Sequence, residues 1–193
     1  MEKKLSDLKK KNKNMQSKKS IQTLCLILKD SKILLGRKTR KLGKGFWNGP
    51  GGKLEEGENL QDSIMREVKA ETGLNIKNLE QVGRVVVEFE DGSEGVLLHI
   101  FLTKDFDGEI TDSDEMTELQ WFNIERLPLD NMWEDDEFWL PVVLEGKKIE
   151  GRFIFDHPST LENVGRIVSR ELREVTGIQQ EIKVEEKTPW KIK

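Results

Sequence analysis

Glycines at positions 43, 45, 49, 51, 52 and 57, with Pro50 among them, keep residues 38–58 out of any helix. The next segment has the opposite character. Leu60, Ile64 and Val68 recur every four positions, and Asn59 stands where an N-cap belongs, with Asp62 at the reciprocal capping-box position. Gly73 is the stop, so the pattern predicts a helix from about Leu60 to Thr72. A glycine-rich loop opening directly into a helix can approach a ligand closely with its backbone, and the helix start favours anions. Glu67 and Glu71, four apart, share one helix face with Ser63, which is expected to lie outside the buried stripe. Two stacked carboxylates repel each other unless a cation sits between them, and oxygen-only ligands suit Mg²⁺ or Mn²⁺. The alternative from the residues alone is a solvated helix in which Arg66 and Lys69 pair the acids.

The flanking chain supplies strands. Residues 21–29 and 32–37 read as a hairpin turning at Asp30-Ser31, and 81–90 and 95–104 as a second turning at Asp91-Gly92. Residues 119–122 form another strand, residues 132–144 a helix, and residues 147–155 a last hairpin. A final amphipathic helix is expected from Thr160 to Val175, with Ser159 and Glu162 as its capping box and Leu161, Val164, Ile167, Val168, Leu172 and Val175 as its stripe. The fold class is α+β, helices packed on a mixed, mostly antiparallel sheet.

Charge is unevenly placed. Residues 1–20 carry a net +6 and the rest −10, so a basic tail precedes an acidic body. An acidic body argues against a duplex-binding surface. Residues 1–20 and 178–193 read as solvated tails around one domain spanning 21–177. The single cysteine, Cys25, lies in the first strand as a core residue and excludes an internal disulfide framework. With no apolar run of membrane-spanning length and no secretory pattern at the N-terminus, a cytoplasmic monomer is expected, with no membrane contact and no stable nucleic-acid complex. His99 and His157 lack metal-ligand spacing and are expected to be structural, as are Trp121 and Trp139; Trp190 falls in the tail.

The stretch Gly52–Leu74 resembles the Nudix box, G-x5-E-x7-R-E-U-x-E-E-x-G-U with U aliphatic. Gly52, Glu58, Arg66, Glu67, Val68, Glu71, Gly73 and Leu74 fall on it, and Ala70 departs from it. The loop Phe46–Lys53 and the stretch Ser113–Pro141, with Trp133-Glu134-Asp135-Asp136, are similar to the oxidised purine nucleoside triphosphatases of the MutT-like group. That resemblance implies a Nudix-type α/β/α sandwich. It also implies Mg²⁺ bound by Glu67, Glu71, Glu115 and the carbonyl of Gly51, with Arg66 bracing a box carboxylate. Lys38 and Lys53 would face the phosphates, and Thr23, Asn48, Trp133, Asp135 and Asp136 would line a base pocket. Leu42 and Val87 stand where that group has aromatics. The implied reaction is hydrolysis of 8-oxo-dGTP and 2-hydroxy-dATP to monophosphate and pyrophosphate. Two alternatives stay open: a Nudix hydrolase for ADP-ribose, a dinucleotide polyphosphate or another NTP, and a nucleotide-sensing or RNA-associated module without catalysis.

Overall fold

A computed structural model describes residues 19–178 of the chain; most of both predicted tails lies outside the described residues. The elements follow in the order β1 (Lys19–Lys29), β2 (Lys32–Lys38), β3 (Trp47–Asn48), α1 (Leu60–Thr72), β4 (Asn75–Lys77), β5 (Glu80–Phe89), β6 (Gly95–Thr103), β7 (Asp105–Asp107) and β8 (Met116–Asn123). A 3₁₀ turn at Leu129–Asn131, α2 (Asp136–Leu144), β9 (Lys148–Phe155) and β10 (Ile167–Val175) follow in the described residues.

The main sheet has the order β10-β9-β5-β6-β1-β2-β3, with β8 also paired to β2. Pairing is parallel for β1–β6 and β5–β9, and antiparallel for β1–β2, β2–β3, β2–β8, β5–β6 and β9–β10. The expected mixed, mostly antiparallel sheet is therefore present. β1 touches β2 only around the turn, at Leu28–Ile33 and Lys29–Lys32, after which the two strands diverge. The gap they leave is where the glycine loop enters.

Each face of the sheet is covered by one helix. Cys25, Ile27 and Phe101 pack with Ile64 and Val68 of α1 on one side. Leu24, Leu26, Val85, Ile100, Ile149 and Phe153 pack with Trp139, Leu140 and Val143 of α2 on the other. The helix α1 has its expected bounds: the Asn59 side chain accepts from the N–H groups of Gln61 and Asp62, and Gly73 takes the left-handed conformation. Cys25 is fully buried, as expected, and burial drives its thiol far above the usual range.

Two expectations are corrected. The domain begins earlier than residue 21, because Lys19 and Ser20 pair with Gly95 and Val96 and the Lys19 ammonium lies 2.8 Å from Glu88. The segment expected as a helix over Thr160–Val175 is a loop followed by the edge strand β10, which pairs with β9 along its length. Gly165 sits inside the would-be helix, at a point where an added Cβ would stand 2.0 Å from the His157 carbonyl oxygen. The Ser159 hydroxyl accepts from the Gly165 N–H instead of capping a helix. The free backbone edge of β9 offered this segment a ladder of hydrogen bonds, and a helix would have left that edge open. Leu161, Val164 and Val168, assigned to the buried stripe, are exposed.

Candidate active site

The chain between β2 and α1 folds back against β1. The Thr23 N–H donates to the Gly52 carbonyl and the Cys25 N–H to the Pro50 carbonyl, both at 2.8 Å. Close approach explains the glycines here. A Cβ on Gly51 would lie 2.1 Å from the Thr23 carbonyl oxygen, and one on Gly52 would lie 2.5 Å from the Glu67 carboxyl.

Behind this loop the helix presents its carboxylates. Glu71 was expected on the outer face; it is instead buried, 2% exposed, because the loop lies over it. Its Oε2 accepts from the Gly51 N–H at 2.8 Å and its Oε1 lies 3.1 Å from the Lys38 ammonium. Burial raises its pKa, against the opposing pull of Lys38 and the Gly51 N–H. Ser63, from the same expected face, is also fully buried. Arg66 grips Glu58 with Nε and Nη2, both at 2.8 Å, and reaches Glu67 with Nη1 at 2.7 Å. That bidentate contact holds the Glu58 carboxyl down at about 2. Glu115 precedes β8 and carries Arg40 and Lys41 on its carboxylate, and the Arg40 contact is the main cause of its low pKa, about 2. Among the described residues, no three acidic, His or Cys side chains stand close enough together to enclose a metal as they are. Each of the three expected ligands has a cationic side chain at its oxygens.

A cleft of about 450 Å³ opens over the loop. Thr23, Lys38, Asn48, Gly51, Lys53, Glu67, Glu115, Trp133, Asp135 and Asp136 all line it, as do Leu42 and Val87. Glu71 and Arg66 stand behind the lining. Lys53 is at the rim, 3.7 Å from Glu94. Ala70 is exposed and forms no part of the lining. The sequence reading missed Leu24, Val96 and Leu98, which make the aliphatic wall. Val96 and Leu98 lie on one face of β6, but Leu97 between them is apolar too, so no alternation in the sequence marks them.

Asp135 and Asp136 begin α2 and are each only 5% exposed. Burial raises both carboxyls, Asp135 to about 6 and Asp136 well above the usual range, where the neighbouring Asp135 charge adds to burial. Trp133 is held between Phe46 and Phe155, with ring centres 6.0 and 5.8 Å away. His99 packs in the sheet with Gln81 at 3.0 Å, as a structural residue.

The sequence model described as the NUDIX domain matches residues 18–142. The chain belongs to the Nudix family. A protein of Mus musculus named oxidized purine nucleoside triphosphate hydrolase is 40% identical over 155 residues, which is 80% of this chain and 95% of that protein. One of the same name in Danio rerio is 40% identical over 133 residues, covering 69% and 85%. Among solved structures, a MutT protein from Bacillus halodurans aligns with a TM-score of 0.66 at 28% identity, over 79% of this chain and 97% of that one. The Nudix fold expected from the box is thus the fold observed. Among the described residues no helix is long and apolar enough to cross a membrane.

Proposed function

We propose that this Nudix protein hydrolyses oxidised purine nucleoside triphosphates, 8-oxo-dGTP and 2-hydroxy-dATP, to the monophosphate and pyrophosphate. The observation that carries the reading is the buried pair Asp135 and Asp136, beside Trp133, in the wall of the same cleft that Glu67 and the glycine loop line. The relatives of that name, at 40% identity over most of the chain, support it.

The base would lie against Trp133, with Thr23 and Asn48 on the cleft wall and the two carboxyls at its edge. Two adjacent buried carboxyls do not both ionise easily, so one keeps a proton and donates while the other accepts. Such a pair can meet a base edge that carries a donor beside an acceptor. The phosphates would run toward Lys38 and Lys53. Water attacks the β-phosphorus, the bond from that phosphorus to the α–β bridging oxygen breaks, and the bridging oxygen leaves with the monophosphate.

The residues fit a divalent cation. Every candidate donor is an oxygen, each carboxylate already attracts a positive group, and Gly52 leaves room for the Glu67 carboxyl that a side chain would fill. Glu67, Glu71, Glu115 and the Gly51 carbonyl would hold Mg²⁺ or Mn²⁺, which when bound neutralises phosphate charge and lowers the pKa of water. Glu71 is the preferred proton acceptor, since the Gly51 N–H fixes its orientation, with Glu67 as its partner. Arg66 keeps Glu67 and the loop in place through Glu58 and the Lys53 carbonyl.

One observation favours a second reading. With Leu42 and Val87 in the lining, Trp133 is its one aromatic among the described residues, and its other apolar side chains are aliphatic. A base is then less enclosed, which suits a Nudix hydrolase acting on ADP-ribose, a dinucleotide polyphosphate or another NTP. A screen of product release over oxidised and normal NTPs, ADP-ribose and dinucleotide polyphosphates with Mg²⁺ separates them. The first reading expects oxidised purine dNTPs at the top; ADP-ribose at the top would replace it with the second, and no turnover with any would leave a binding module.

A further inference from the structure

The two carboxyls at the start of α2 are not equivalent, and the difference lies in one residue outside the cleft lining. Asp135 Oδ2 accepts from the Trp139 indole Nε1–H at 3.1 Å, one helical turn on. Among the described residues, Asp136 has one N–H donor, from the Trp133 backbone, at 3.2 Å on Oδ2. The indole N–H is a donor only, so it favours the charged, acceptor-only form of its partner. It also cannot turn away: Trp139 is 1% exposed and packed in the core against the sheet. Glu134, which precedes the pair in the chain, accepts from the Ile167 N–H at 2.9 Å. Remove the indole N–H and the donor that favours charge on Asp135 is gone, so the difference between the two carboxyls narrows.

We propose that Trp139 is a positioning residue that decides which member of the pair carries the shared proton: it holds Asp135 as the acceptor and leaves the proton on Asp136. The resting cleft then reads donor and acceptor along a base edge in one order. An oxidised guanine, with a ring N–H beside a carbonyl, and an oxidised adenine, with a ring nitrogen beside an amino group, present different orders. Trp139 thereby sets the preference between them without touching either. The inference rests on the proposed role of the aspartate pair in reading the base.

The test replaces Trp139 with 3-benzothienylalanine, which keeps the ring shape and has sulfur where the N–H stood, so the core remains filled. Two quantities are read. The first is the side-chain ¹³Cγ shift of Asp135 and Asp136 in the free full-length protein at neutral pH. In the natural protein Asp135 should fall in the carboxylate range and Asp136 in the carboxylic-acid range, and in the variant the two should converge. The second is the ratio of kcat/KM for 8-oxo-dGTP to that for 2-hydroxy-dATP, which should move by roughly tenfold toward the substrate the natural protein handles less well, the size of one hydrogen bond to a charged group. Unchanged ¹³Cγ shifts, or an unchanged ratio, overturn the role of Trp139. A separate control addresses the base reading itself: if Asp135→Asn and Asp136→Asn both leave the ratio of oxidised to normal purine turnover unchanged, that reading fails and takes the proposal with it.

Discussion

The Gly51 N–H donates to the Glu71 carboxylate at 2.8 Å, so the glycine loop and the helix that carries the acids are fastened to each other by a part-buried hydrogen bond. Lys38, from β2, completes the fastening at 3.1 Å on the other oxygen of the same carboxylate. A group of this kind sets the geometry of the loop as well as the local charge. Glu71→Gln keeps an acceptor for Gly51 and removes the charge that faces Lys38. We expect kcat to fall by about 10²-fold or more, as for loss of a metal ligand or general base. Glu71→Ala should in addition lower the melting temperature, since it strands both the Gly51 N–H and the Lys38 ammonium. Steady-state kinetics with thermal unfolding of both variants checks this, and near-normal turnover of Glu71→Gln would remove Glu71 from the site.

Gly52→Ala tests the packing of loop on helix. Its Cβ would stand 2.5 Å from the Glu67 carboxyl, so either the loop or that carboxylate must shift. Because Glu67 is partly exposed at the cleft, the cost should appear in catalysis, with kcat/KM down by about tenfold or more and little change in stability. A variant with unaltered kcat/KM would mean that the position of Glu67 is not critical.

The loop before β10 separates the expected helix from the observed strand by the sign of one substitution. In an exposed helix interior, Gly165→Ala would stabilise by about 0.5–1 kcal/mol. In the observed turn its Cβ meets the His157 carbonyl oxygen at 2.0 Å, and the Ser159–Gly165 bond is disturbed. Destabilisation of about 2 kcal/mol or more in denaturant unfolding is expected. A stabilised variant would restore the helix.

Local signals and long-range ones fared differently across the chain. Asn59 and Gly73 bound α1 through bonds made within a few residues, so the helix was legible from its own sequence. Period and capping residues also point to a helix over Thr160–Val175, but there the unpaired edge of β9, distant in sequence, decided the outcome, and the one local warning was Gly165. Periodicity also grouped Glu67 with Glu71 without saying which part of the chain would cover them. The loop that buries Glu71 does so through Gly51, a contact spanning twenty residues that no helical pattern encodes. The cleft residues carried by the motif resemblance came together, whereas the aliphatic wall of Leu24, Val96 and Leu98 depends on the parallel β1–β6 register and was not visible beforehand.

The buried His99 makes stability depend on pH. Burial, aided by the Arg84 charge, lowers its pKa from 6.5 to about 4. In that interval the unfolded chain binds a proton that the folded one does not. Its contribution is therefore fully present above about pH 6.5 and is lost as pH falls toward about 4, by roughly 2 kcal/mol after allowance for solvent screening. His99→Gln should flatten this part of the stability profile while leaving the steeper loss below it, where Glu58 and Glu115 take up protons. Urea unfolding from pH 7 to pH 4 reads the difference, and an identical slope in both proteins would contradict it.

One comparison decides whether the cleft selects oxidised purine triphosphates: kcat/KM for 8-oxo-dGTP against kcat/KM for dGTP, on the full-length protein with Mg²⁺. A preference of about tenfold or more for the oxidised base is expected, with monophosphate and pyrophosphate as products, and its loss in Asp135→Asn, where leaving a buried polar group unpaired costs about 1–3 kcal/mol. Equal or faster turnover of dGTP by the natural protein would contradict it.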